Sequence, residues 1–122
     1  GYTQEGVMPS AQNTVGGAGG ILSDEDGPSF RVVGFNESNI YPFSKAIGFN
    51  VVSEGLSSLS KVEIYFNGRL LGIYKESPFY ISINPREVTG ILRENNNIAV
   101  IGFDLVGNKN QISFGFKLDL NN

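Results

Sequence analysis

From Ile112 to Leu120 every second residue is large and apolar: Ile112, Phe114, Phe116, Leu118 and Leu120 alternate with Ser113, Gly115, Lys117 and Asp119. Successive side chains of a strand point to opposite faces, so this spacing gives one apolar face and one wet face, whereas a helix would scatter the same residues around its axis. Shorter runs repeat the pattern at Ile47, Phe49 and Val51, at Val62, Ile64 and Phe66, and at Phe79, Ile81 and Ile83. Residues 97–103 (NIAVIGF) are apolar on both faces, as a central strand is, and residues 30–35 (FRVVGF) supply a first strand. Asn67-Gly68 tolerates positive φ at both central positions of a type I′ turn and joins 61–66 to 69–75; Gly107-Asn108 does the same between 97–104 and 111–119. This makes seven strands over residues 28–122, with turn signals at short intervals, which predicts an all-β sandwich of two sheets. Helix is confined to one turn at Asn84-Pro85-Arg86-Glu87, where Asn84 caps and Pro85 takes the first position.

At 122 residues the chain supports one core, and its 40% hydrophobic and 17% charged content is too apolar for a disordered polymer. Residues 1–27 stand apart. They hold seven of the 16 glycines and four acidic residues (Glu5, Asp24, Glu25, Asp26) with no basic one. Setting that −4 against the chain's −3 leaves +1 on residues 28–122, so the body carries no large field and nucleic acid is not an expected partner. The run Val15 to Gly20 (VGGAGG) reads as a flexible linker; no Lys-Ser/Thr follows it, so it is not a phosphate loop. The expected division is a Gly-rich acidic tail at 1–27 and a sandwich domain at 28–122. No long apolar run is present, so no membrane insertion is expected, and the start does not read as a targeting peptide.

Histidine and cysteine are both absent, which removes the common zinc and haem ligands, thiol and His-assisted nucleophiles, and any disulfide framework. Ser44-Lys45 are adjacent in extended chain and point to opposite faces, so they do not make a Ser-Lys pair. A glycosidase needs two carboxyl groups across a cleft, yet Glu63, Glu76, Glu87, Glu94 and Asp104 are scattered over turns and strand exteriors. No catalytic residue and no cofactor is expected.

Three segments resemble the bacterial immunoglobulin-like domains of cell-surface and cell-wall proteins. They are KVEIYFNGRLLG (Lys61 to Gly72), SPFYISIN (Ser77 to Asn84) and NNIAVIGFDLVGN (Asn96 to Asn108), in the order that family shows. The chain departs from the family at Asn95-Asn96-Asn97, where Gly-x-His is common, and at Gly102, where Ala is. The resemblance implies a seven-stranded immunoglobulin-like sandwich and an extracytoplasmic accessory module, of a kind also found at the C-terminus of penicillin-binding proteins.

Candidate sites follow from exposed positions. If Val62, Ile64 and Phe66 point inward, Tyr65 points outward, and so do Ile101 and Phe103 on the strand expected beside it; Tyr74 stands at the margin. Such an apolar face is expected to mark contact with a partner domain, a neighbouring subunit or a sugar ring. The bland alternative is that long side chains or the tail cover it. Asp104 is placed to accept backbone N–H bonds inside its turn. A calcium site would instead draw oxygens from Asp104 and Asn108 with Asp24 or Asp26, although no DxDxDG spacing is present. Two functions of other classes remain open: glycan or peptidoglycan binding by Tyr65, Tyr74 and Tyr80, and assembly by strand addition. Asn36-Glu37-Ser38 forms a glycosylation sequon.

Overall fold

The computed structural model describes residues 27–54 and 58–121. Among these, eight strands are present: β1 (Ser29–Val33), β2 (Ile40–Pro42), β3 (Ile47–Glu54), β4 (Lys61–Phe66), β5 (Arg69–Tyr74), β6 (Phe79–Ile83), β7 (Asn95–Phe103) and β8 (Lys109–Asp119). One sheet has the order β1-β3-β6 and the other β2-β8-β7-β4-β5. Two 3₁₀ turns, Pro85–Glu87 and Thr89–Ile91, carry the chain from β6 in the small sheet to β7 in the large one. The first starts as expected: the Asn84 side chain accepts from the Arg86 N–H, and Pro85 opens the turn.

The alternation predicted from sequence is what closes the two layers. Phe30, Val32, Ile47, Phe49, Val51, Phe79, Ile81 and Ile83 of the small sheet face Val62, Ile64, Phe66, Ile98, Val100, Ile112, Phe114, Phe116 and Leu118 of the large one, all buried. Each such side chain removed from water contributes about 1.5–3 kcal/mol before entropy is counted. Phe35 locks one end of this interior. Gly34, at φ 96°, turns the chain out of β1 and drops Phe35 between the layers. Its ring centroid lies 4.7 Å from Phe114, 6.0 Å from Phe49 and 5.1 Å from Tyr41, which stacks on it.

Differences from the sequence expectation are local. The eighth strand, β2, is three residues long and pairs in parallel with β8 through Ile40↔Lys117, Tyr41↔Leu118 and Pro42↔Asp119. Its hydrophobic period is too short to register in sequence. The first strand ends at Val33 rather than at residue 35 because Gly34 adopts a conformation a strand does not use. Leu120 does not continue the inward set. The chain turns after Asp119, whose Oδ1 accepts from the Asn121 N–H at 3.0 Å, and leaves Leu120 exposed. The expected tail at 1–27 lies outside the described residues except for Gly27.

Candidate functional site

The outer face of the large sheet is built from rungs that cross β5, β4, β7 and β8. The first is Leu70–Tyr65–Ala99–Ser113, the second Ile73–Glu63–Ile101–Gln111, and the third Lys61–Phe103–Lys109. Tyr65, Ile101 and Phe103 therefore do share one face. They do not share the same access to solvent. Ile101 is only 5% exposed, since its neighbours across the rung are the long side chains Glu63 and Gln111. Polar contacts hold that cover in place: Lys61 Nζ lies 3.4 Å from the Glu63 carboxylate, and the Tyr65 hydroxyl donates to Glu63 Oε1 at 3.4 Å. Lys61 Nζ also stands 4.1 Å from the centre of the Phe103 ring, a cation–π contact that occupies one ring face. Partial burial, and then the Glu63 charge and hydrogen bond, hold the Tyr65 phenol above its ordinary pKa.

Tyr74 is on the opposite face. It pairs with Val62, an inward residue, and packs against the core. The reason is a bulge: Ile64 pairs with Gly72 but Tyr65 with Leu70, so Leu71 is skipped. The same bulge turns Leu70 and Ile73 outward, at 43% and 48% exposure, beside Tyr65 and Glu63. Sequence reasoning passed over these two residues because strict alternation puts Leu70 and Ile73 on opposite faces. The exposed apolar side chains of this surface are thus Leu70 and Ile73 along the β4–β5 edge, with Tyr65 and Phe103 half-buried on the same face.

The tyrosines proposed to stack on sugar do not form one platform. Tyr65 faces outward on the large sheet and Tyr74 inward, whereas Tyr80 stands 56% exposed on the outer face of the small sheet, where Asn50 is its register partner. A Cβ added at Gly48 would meet Tyr80 Cζ at 3.0 Å, so the ring reaches across that glycine.

Asp104 serves the turn that follows it. Its Oδ1 accepts from the N–H groups of Val106 at 3.1 Å and Asn108 at 2.9 Å, and its Oδ2 accepts from Asn108 Nδ2 at 3.2 Å. Both carboxylate oxygens of Asp104 are therefore engaged with the turn's own donors, among them the Asn108 side-chain nitrogen. Asp24 and Asp26 lie outside the described residues. Among the described residues, no three acidic side chains come together as a metal site would require. Glu63 lies on the outer face of β4, Glu87 in a 3₁₀ turn, Glu76 between β5 and β6, and Glu94 ahead of β7.

An asparagine cluster went unnoticed in the sequence. Asn67, at φ 51°, forms the I′ turn with Gly68 at φ 86°. Its amide donates to the Ile91 carbonyl at 2.7 Å and to Asn96 Oδ1 at 2.9 Å, while its Oδ1 accepts from the Asn97 N–H at 2.8 Å. Asn96, only 4% exposed, closes a second ring by donating to the Arg93 carbonyl at 2.7 Å and accepting from the Arg93 N–H at 2.9 Å. The signal was present as Asn67-Gly68 and Asn95-Asn96-Asn97.

Comparison with known proteins places this geometry in a class. No protein-family model matches the chain, and no curated protein matches it. Solved structures do. The fibronectin(III)-like modules of Clostridium thermocellum CbhA match with a TM-score of 0.58 at 14% identity, over 77% of this chain and 46% of that one. The Clostridium perfringens spore cortex lytic enzyme SleM matches with a TM-score of 0.53 at 17% identity, over 70% of this chain and 27% of that one. The chain thus spans less than half the length of either. Its fold is an immunoglobulin/fibronectin-III-like β-sandwich.

Proposed function

We propose that this sandwich is a non-catalytic bacterial immunoglobulin-like module of a cell-surface or cell-wall protein, working outside the cytoplasm. It holds its place as a rigid spacer and docks a neighbouring domain or protein through the β4–β5 edge of its large sheet. The observation that carries this reading is the exposed pair Leu70 and Ile73, beside half-buried Tyr65 at the edge of a face whose Ile101 is covered and whose Phe103 ring has Lys61 over it. The scattered carboxylates support a non-catalytic role, since hydrolysis needs two of them across a substrate. Likeness to modules that make up less than half of longer chains supports an accessory role, and the likeness to a spore cortex lytic enzyme supports the extracytoplasmic setting.

Hydroxyl-radical footprinting of the isolated chain and of its full-length parent tests the docking. Protection of Tyr65, Leu70 and Ile73 in the parent is the expected result. Equal labelling in both leaves a spacer without a docking face. Titration with soluble cell-wall fragments supplies the contrasting outcome, because saturable shifts at Tyr65 or Tyr80 would replace docking with glycan binding.

A further inference from the structure

Strand β5 ends one side of the large sheet, with β4 as its neighbour. Backbone groups of an antiparallel strand point alternately to its two sides. The Asn67 N–H donates to the Asn97 carbonyl, just beyond the pairing of Phe66 with Ile98, so the odd-numbered residues of β4 turn toward β7 and Ile64 and Phe66 turn toward β5. Leu70 and Ile73 stand opposite Tyr65 and Glu63, and their N–H and C=O groups therefore point away from the sheet. The bulge that skips Leu71 gives both residues the same disposition: exposed side chain on the outer face, backbone groups on the open edge.

Two cations bracket this edge. Arg69 and Lys75 are exposed, and neither joins an ion pair among the described residues, where the pairs formed are Arg31–Glu54 and Lys61–Glu63. Two copies of β5 laid antiparallel about Gly72 would set Arg69 of one against Lys75 of the other at both ends. Like charges directly opposite destabilise such a pair, so the edge disfavours a second copy and suits a strand with acidic ends.

We propose that β5 receives an extended segment of another polypeptide as a further strand of the large sheet, with a carboxylate near each end and apolar or β-branched side chains between. The proposal rests on the docking reading above and names its partner chemistry. Leu70 and Ile73 supply the main-chain hydrogen bonds and the apolar contact, while Arg69 and Lys75 select the ends.

Amide NMR of the full chain tests it, with a capped heptapeptide of alternating Val and Thr between terminal Asp residues as the probe. Saturable downfield shifts at the Leu70 and Ile73 amides are expected, while Phe49 and Ile81 of the small sheet stay in place. A peptide ending in Lys should bind about fivefold more weakly, and the double variant Arg69→Glu, Lys75→Glu should reverse that preference. No saturable shift at either amide overturns the proposal. So does equal binding of the peptide methylated on its backbone nitrogens, which can no longer pair, or movement of the two signals with protein concentration alone, which shows a second copy on the edge. If radical footprinting of the parent still protects Leu70 and Ile73 when the peptide test fails, docking stands and strand pairing falls.

Discussion

The side-chain amide of Asn67 donates to Asn96 Oδ1 across 2.9 Å and joins the β4–β5 turn to the first residues of β7. Asn96 is buried and satisfies both Arg93 backbone groups as well, so one side chain holds the crossover, the hairpin and the central strand together. Buried polar groups that lose their partners keep the full cost of leaving water.

Replacing Asn96 by alanine is therefore expected to destabilise the fold by about 1–3 kcal/mol. Urea unfolding followed by circular dichroism measures it. The midpoint should fall with little change in slope, because the surface exposed on unfolding is unaltered.

Gly102 meets a different constraint. A Cβ there would lie 2.6 Å from Leu59 Cδ2 and 2.8 Å from Phe30 Cε1, in a buried seam near the end of the sandwich. Gly102→Ala is expected to cost about 1–3 kcal/mol through overpacking. Combining it with Leu59→Ala should cost less than the sum of the two single changes, a coupling that a double-mutant cycle reads directly.

Phe35 touches Phe49 of one sheet and Phe114 of the other and stacks on Tyr41. Phe35→Ala removes that shared ring and should cost about 3–5 kcal/mol, measured by thermal or urea unfolding. A loss under 1 kcal/mol, about the size of an ordinary surface change, would show that the aromatic end closes without it.

Tyr65 gives a signature in alkali. Its phenol titrates above the ordinary 10.0 because burial, the Glu63 charge and the Glu63 hydrogen bond all favour the neutral form. The unfolded chain then loses this proton first, so the stabilisation is complete below the unfolded value and declines as pH rises through the folded one. Glu63→Gln removes the charge, and the Tyr65 midpoint, followed by NMR of ring-labelled tyrosine, should move down toward the ordinary value.

Periodicity made the interior legible, and long-range side-chain geometry was what it lacked. The extents of β4 and β6 and the inward set of β8 as far as Leu118 follow from alternation alone, because one apolar face has only one way to be buried. Ile40–Pro42 carries too few residues to show a period, and its partner strand lies some 77 positions downstream at Lys117. Tyr74 fell on the wrong face because a bulge shifts parity without leaving a mark in composition. The burial of Ile101 depends on Glu63 and Gln111 flanking it from the two neighbouring strands, and the Asn67–Asn96 bond joins residues 29 positions apart. Neither can be seen before the strands are paired.

The position of β8 between β2 and β7 bears on how the domain is made. The last of its strands to leave the ribosome is an interior member of the larger sheet, so β2 and β7 wait unjoined while it is still in the exit tunnel. Completion of that layer must come after translation of the whole domain, and a nascent chain halted before Lys109 should remain sensitive to protease.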